Sequence, residues 1–367
     1  MSRLKGRVTL ATVAGTAGVS VATVSKVLNG RSDVSPVTRA RVQEILEKHG
    51  YVGRRPDPVE RGTVELFCHG VLNSYSVEVI QGVLDAGEAA GVEVVLSSRP
   101  PHPGRQSAGR AASWVRELIA SGRRAAVGIT SELSDADLAA LSRARLPLVI
   151  IDPTDVPQPD VTSVGSTNFA GGMAATQYLL GLGHRRIGYI GGPPTSACNQ
   201  ARMSGFRSAM DAVGAPVPRE YIWLSNFLYD DGLAGGSMML DLPDRPTAIF
   251  AGCDEVAVGV MEAARSRGLR IPDDLSVVGF DDTQLAKFAS PQLTTVKQPL
   301  REIGAVAVRT ALQLAEGEKV DSHHVELATT LIVRDSAAPN RYRSLLPVGD
   351  GTGREDGGDQ NRQAQNG

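Results

Sequence analysis

Cysteine is scarce in this sequence: Cys68, Cys198 and Cys253 are the three among 367 residues. An odd number with no Cys-x-x-Cys pair excludes a disulfide framework and a cysteine-only zinc site, and it fits a reducing cytoplasm. No stretch approaches the roughly 18 consecutive apolar residues of a membrane span. The opening residues, MSRLKGRVTLATVAG, are basic but lack a continuous apolar core and a small-residue cleavage site, so no secretory leader is expected. The phosphate-cradling patterns G-x-G-x-x-G and G-x-x-x-x-G-K-[ST] and the nucleophile pattern G-x-S-x-G are missing too, which argues against an enzyme. Gly191-Gly192-Pro193 reads as a strand-end turn. His323-His324 stands without a neighbouring ligand set, and the adjacent acids Asp254-Glu255 and Asp281-Asp282 diverge as side chains, so no metal site, cofactor or glycosidase pair is expected. What remains is ordinary for a globular chain, 42% hydrophobic and 21% charged, with length for two to three domains.

Charge is distributed unevenly. Residues 1–55 carry ten Lys or Arg (among them Lys26, Arg39, Arg54 and Arg55) against Asp33, Glu44 and Glu47, which gives +7 on a chain whose net charge is -2. A basic end on an acidic body points to a polyanion partner for that end, unless the charge is only a solvated surface. The pattern inside the segment favours the partner. Three short helices are read: Leu10–Ala17 behind a Thr9 cap, Val21 to about Asn29 behind a Ser20 cap, and a third from Ser35-Pro36 to about His49. Gly18-Val19-Ser20 makes the tight turn between the first two, Gly18 supplying the left-handed backbone. Val13, Ala14, Ala17, Val24, Val27, Leu28, Val42, Ile45 and Leu46 fall on inward faces.

Two helices joined by such a turn form a helix-turn-helix, whose second helix can enter the DNA major groove. Val21, Ala22, Ser25 and Lys26 are outward on that helix, with Asn29 one turn on. Lys26 can donate to guanine, whereas Val21 and Ala22 can meet thymine methyls. Ser20, Thr23, Ser35 and Thr38 are hydroxyls at helix starts, suited to phosphate. The plainer alternative is a three-helix bundle in which Ser20 and Ser35 merely cap.

VTLATVAGTAGVSVATVSKVLNGRSDVSPVTRARVQEILEKHGYV closely resembles the DNA-binding segment of the LacI/GalR (lactose-repressor) family, most specifically through AGVSVATVSKVLNG. The likeness runs on to about residue 336 through LGHRRIGYIGGP, ARMSGF, DRPTAIFAGCDEVAVGV, IPDDLSVVGFDD and PQLTTVKQP. It implies a homodimeric cytoplasmic repressor, each subunit placing the Val21–Asn29 helix in one half of a near-palindromic operator, with bases read from the positions of Val21, Ala22 and Lys26. Lysine at 26 stands where arginine is usual, so bidentate guanine contact is weaker. Thr12 replaces a usual acid. The family's hinge helix and its minor-groove leucine are not expected here: Pro56 and Pro58 interrupt YVGRRPDPVERGTVEL, and Glu60 falls where the leucine would be. Arg54 and Arg55 either reach phosphate or a narrow minor groove, or are plain linker charge.

From Val64 onward apolar runs alternate with amphipathic helices. VELFCHGV, VEVVLSS, AAVGIT and PLVIID form one strand series, with helices near 76–90, 107–121 and 134–143. RRIGYIGG, YIWLS, TAIFAG and LSVVGFDD form a second, with helices near 168–181, 199–213, 230–240 and 253–267; TTVKQPL and VELATTLIV follow. The expected fold class is α/β: a three-helix head and a periplasmic-binding-protein-like body of two Rossmann-like parallel sheets. The expected domains are a head at 8–53, a linker at 54–63 and a body at 64–336. Lobe 1 takes about 64–162 and 294–324, and lobe 2 about 163–293 and 325–336. The Gly-rich residues 347–367 form a disordered tail, with no leucine heptads for a tetramerisation helix.

Ligands bind at the carboxyl ends of strands in such sheets, here in the interlobe cleft. The resemblance places Arg202 and Asp281 on a small-molecule effector, a donor fork and an acceptor suited to sugar hydroxyls, unless they are a structural ion pair. It places Phe227 over the ligand face, unless it is core. Tyr75 and Ser76 follow the first strand, and Asp152 closes another. Cys253 precedes Asp254 where many sugar-binding relatives carry a polar residue, which leaves the ligand open. The function implied is control of carbohydrate-use genes by a sugar-like inducer. The alternatives are a corepressor-dependent regulator, a free sugar-binding protein or an enzyme.

Overall fold

The computed structural model describes residues 10–28, 34–48, 62–69, 72–99, 108–130, 133–154 and 161–340. Thr9, Asn29, the linker with Arg54, Arg55, Pro56 and Pro58, and the tail 347–367 lie outside them. The chain divides into two compact units, one carrying the first three helices, the other beginning at Thr63 and carrying both sheets.

In the first unit α1 (Leu10–Ala17), α2 (Val21–Leu28) and α3 (Pro36–Lys48) surround a small core of Val13, Ala14, Ala17, Val24, Val27, Val42 and Leu46, with Ile45 partly buried. These are the inward positions read from helical spacing; the Leu28 side chain lies outside the description. Gly18 has φ +65°, a backbone that lets the Val19 N–H return to the Ala14 carbonyl at 3.1 Å and close α1.

The second unit opens with β1 (Thr63–His69), α4 (Ser74–Ala90), β2 (Glu93–Arg99), α5 (Ala108–Ala120), β3 (Arg123–Ile129), α6 (Asp135–Ala144), β4 (Leu148–Ile151) and β5 (Thr162–Ser166). It continues with α7 (Asn168–Gly181), β6 (Ile187–Gly191), α8 (Ala197–Asp211), β7 (Ile222–Leu224), α9 (Tyr229–Leu240), β8 (Ala248–Ala251), α10 (Asp254–Arg265), β9 (Ser276–Asp281), α11 (Gln284–Phe288) and β10 (Thr294–Lys297). It closes with α12 (Leu300–Ala315), β11 (His324–Leu327) and β12 (Thr330–Ile332). One sheet runs β11-β5-β4-β3-β1-β2 and the other β12-β10-β9-β8-β6-β7. The two therefore share a doubly wound order that reverses beside their first strand, between β1 and β3 and between β6 and β8, so each opens a crevice at its strand C-termini.

Three sequence expectations are corrected. Thr294–Lys297 pairs with β9, parallel, and so belongs to the second lobe rather than the first. The single strand read in VELATTLIV is two, β11 joining the first sheet and β12 the second, where it runs antiparallel to β10. An unbroken β-favouring run cannot show that its halves pair with different sheets. Finally, β5 was not expected and belongs to the first sheet; its TSVGS sequence has little apolar content, yet it is wholly buried. Its hydroxyls are satisfied instead: Thr162 Oγ1 meets His323 Nδ1 at 3.1 Å, and Ser163 Oγ meets His324 Nδ1 at 2.7 Å. α12, also unforeseen, packs on α4.

The chain thus crosses between lobes at 166–168, 297–300 and 327–330. Thr167 Oγ1 lies 3.0 Å from Thr329 Oγ1, and the Thr329 N–H donates to Thr167 Oγ1 at 3.0 Å. The Ser166 hydroxyl donates to Gln298 Oε1 at 2.5 Å. All three crossings are tied to one another.

Candidate functional site

In the first unit two helix starts have the same construction. Ser20 Oγ accepts the Thr23 N–H at 3.1 Å and lies 2.8 Å from the Thr23 hydroxyl. Ser35 Oγ accepts the Thr38 N–H at 3.2 Å and donates to Thr38 Oγ1 at 2.8 Å. These serines are caps, as the plainer reading held; each cap also leaves hydroxyls and amide hydrogens together at a helix start, where an anion is favoured. On α2 the faces separate cleanly. Val24 and Val27 are buried, while Ala22 and Lys26 are exposed and Val21 is 45% exposed. Ser25, Thr23 and Thr38 are half-buried.

In the second unit the strand C-termini of both sheets converge on a cavity of about 380 Å³. Cys68 is the last residue but one of β1, Ile129 ends β3 with Thr130 after it, and Asp152 follows β4; Pro193 and Cys253 lie two residues beyond β6 and β8, and Asp281 ends β9. Tyr75, Ser76, Asp152, Arg202, Phe227 and Asp281 all line it. The structure therefore gathers the six positions proposed from sequence around one space.

Their hydrogen bonds differ. Arg202 is 3% exposed: its Nε donates to Asn168 Oδ1 at 2.8 Å and its Nη1 to the Gly252 carbonyl at 2.6 Å. The guanidinium carbon lies 3.9 Å from the Phe280 ring centre and 5.6 Å from that of Phe227. Asp281 Oδ1 is 3.8 Å from Arg202 Nη1 and accepts the Gln298 amide at 2.6 Å. Burial pushes the Asp281 carboxyl well up from its usual range, opposed by the Arg202 charge. The pair is in contact, as the plainer reading had it, and both residues also line the cavity. Tyr75 donates its hydroxyl to Asp152 Oδ2 at 2.5 Å; burial raises Asp152, and that bond and Arg202 pull it back. Ser76 is otherwise engaged, its Oγ accepting the Asn73 N–H at 2.8 Å and donating to the Asn73 carbonyl at 2.9 Å as part of the α4 cap. Phe227 holds φ 64° with its ring over Gly192, where any Cβ would fall 2.0 Å from a ring carbon. It is half-buried cleft wall and core at once.

A second ring of residues escaped the sequence reading. Asp254 accepts the Thr295 hydroxyl at 2.6 Å, the Thr283 N–H at 2.7 Å and the Thr283 hydroxyl at 3.0 Å. Burial pushes its carboxyl up to about 7 against those donors. Gln298 links Asp281 to Ser166, and hence the cavity floor to the lobe crossings. The one available signal was position: Gln298 directly follows β10 and Asp254 directly opens α10. Among the described residues no group of three His, Cys, Asp or Glu is arranged to hold a metal ion, and no helix is long and apolar enough to cross a membrane.

Residues 9–53 match the family described as bacterial regulatory proteins, lacI family, and residues 176–337 match a periplasmic binding protein-like domain. Catabolite control protein A of Priestia megaterium is 32% identical over 340 residues, which cover 90% of this chain and 99% of that relative. A structure described as the transcriptional regulator CelR-cellobiose complex is 32% identical with a TM-score of 0.67, over 90% of this chain and 100% of the other. A lac repressor dimer bound to operator and the anti-inducer ONPF is 27% identical with a TM-score of 0.71, over 90% and 99%.

Proposed function

Because the chain belongs to the LacI family of bacterial regulatory proteins, whose members are DNA-binding transcriptional regulators and not enzymes, we infer that it is a homodimeric repressor of carbohydrate-utilisation genes, released from a near-palindromic operator by a sugar-like effector in the interlobe cavity. In this reading residues 8–53 are the DNA-binding head, 54–63 the linker, and 64–336 the effector-binding and dimerisation body. Lobe 1 takes β1–β5, α12 and β11, and lobe 2 takes β6–β10 and β12.

Val21, Ala22 and Lys26 meet base edges, with Ser25 and Asn29 beside them. Thr9, Ser20, Thr23, Ser35 and Thr38 meet phosphate, and Arg54 and Arg55 contact the backbone or the minor groove. Tyr75, Asp152, Arg202, Phe227 and Asp281 hold the effector, with Ser76 fixing the helix start that carries Tyr75. Effector hydroxyls accept from the Arg202 guanidinium and donate to Asp281 and Asp152, while Phe227 covers an apolar ring face. A ligand bridging both lobes changes their relative setting through the three crossings. Since a dimer must span half-sites about 34 Å apart, a small change in head spacing weakens specific binding.

The observation that carries this reading is the outward, water-exposed apolar and cationic face of α2 on a chain that also holds a cavity at two sheets' strand ends. The test is selection of bound duplexes from random DNA by the full chain, repeated with monosaccharides and disaccharides present. A near-palindromic consensus lost with one sugar supports it, by a factor of roughly 5 to 150 in affinity. Selection without consensus, or a consensus indifferent to every metabolite offered, contradicts it. Strengthened binding would make the ligand a corepressor.

A further inference from the structure

The loop from Ser225 to Leu228, between β7 and α9, carries Phe227 on the cavity wall, and two features of that residue need a cause. Its backbone is left-handed, φ 64°, a conformation that an aromatic residue seldom adopts and keeps only where its surroundings over-determine it. Its ring is pressed onto strand-end backbone: a Cβ on Gly192, after β6, would fall 2.0 Å from a ring carbon, and one on Gly252, after β8, 2.9 Å. The Phe227 carbonyl accepts the Cys253 thiol at 3.4 Å, a weak contact. The stronger contacts come from a carboxylate outside the cavity lining. Asp231, half-buried in the first turn of α9, accepts the Ser225 hydroxyl on Oδ1 at 2.5 Å. On Oδ2 it accepts the N–H groups of Asn226 at 2.9 Å and of Leu228 at 3.1 Å. Hydrogen bonds to an ionised acceptor are the strong ones. Capping α9 needs the Leu228 N–H alone. The bonds to Ser225 and Asn226 reach back past Phe227, so the loop is clamped on both sides of it.

We propose that Asp231 is a positioning residue for the cleft ligand: it clamps the loop around Phe227, fixes the ring against Gly192 and Gly252, and so sets which ligand faces the cavity accepts. This rests on reading the cavity as the effector site. Asp231 itself touches no ligand. A ring fixed in advance loses little freedom when the C–H face of a sugar is laid on it, so a matching face gains the full contact and a mismatched one does not. A loose ring adjusts to several faces and holds each of them less well.

The full chain is prepared with 4-fluorophenylalanine at its seven phenylalanines, and the fluorine resonance of Phe227 is assigned by its absence from Phe227→Leu. In Asp231→Ala that line shifts and broadens while the remaining lines keep their positions. Asp231→Asn, whose amide oxygen still accepts both N–H groups, restores it. Asp230→Ala, which removes the exposed acid beside it in the same turn, leaves it unmoved. Ser225→Ala, which removes one bond of the three, shifts it less, and decides the matter if Asp231→Ala fails to fold. D-glucose, D-galactose, D-ribose and cellobiose are then titrated by calorimetry. The parent's preference for its tightest sugar over the others falls roughly two- to tenfold in Asp231→Ala and recovers in Asp231→Asn. A Phe227 line unmoved in Asp231→Ala or Ser225→Ala, an equal shift in Asp230→Ala, or the same fold loss for every sugar overturns the proposal. A parent that binds none of the four, with the Phe227 line behaving as described, supports the clamp and counts against the sugar reading alone.

Discussion

Arg202 shows how much one side chain organises. Two charge-assisted hydrogen bonds, a stacked ring and a carboxylate all meet its planar fork, which a point charge on a flexible stem cannot reproduce. Arg202→Lys keeps the charge but loses the fork, and is expected to weaken the cleft ligand by about 2 kcal/mol, roughly thirtyfold, with DNA affinity in its absence retained. Ligand titration calorimetry with a gel-shift control checks this. Lys26→Ala is expected to lower affinity for the selected duplex more than for random DNA, by about 1–3 kcal/mol; equal loss on both would make Lys26 a phosphate contact. Asp254 supplies a pH prediction. Its folded-state value of about 7 lies above the ordinary 3.8, so the native protein holds a proton that the unfolded chain releases over that interval. Stability from this group is full below about pH 4 and falls as pH rises towards 7. Thermal melts across that range should show the decline in the parent chain and a flatter profile in Asp254→Asn.

At the scale of elements, α1–α3 were legible almost to the residue, because caps, a turn glycine and an apolar stripe agreed with one another. Val24→Ala, at the centre of so small a core, should cost about 2 kcal/mol and abolish DNA binding before it disturbs the body, which a domain-resolved melt would show. The strands β1–β4 and β6–β9 were legible as apolar runs for the same reason. What escaped was pairing and polar burial. Nothing local in TSVGS announces a buried strand, since its stabilising partners are two histidines 161 residues away. The break in VELATTLIV is likewise set by Thr167, 162 residues from Thr329. The cleft followed the same rule. Its wall residues sit at strand ends or in the first turns of the helices that follow, and could be placed on the cavity from pattern and resemblance together, whereas Asp254 and Gln298 gain their importance from partners that only the fold brings near.

For the whole molecule, the three crossings are where the two lobes are joined, and in the proposed function they carry the coupling. The chain Asp281–Gln298–Ser166 joins a cavity-lining carboxylate to the crossings through two buried hydrogen bonds. Gln298→Ala should therefore leave both sites occupied but reduce their coupling, by roughly 0.5–2 kcal/mol, seen as DNA affinity that responds less to saturating ligand. The account's central claim is that cavity and DNA-reading helix share one equilibrium, and linkage makes it directly measurable. Calorimetric titration of the active sugar into the full chain, with and without saturating operator duplex, is expected to show sugar affinity lowered by DNA by the same factor by which the sugar lowers DNA affinity. Identical sugar affinity in both titrations would contradict it.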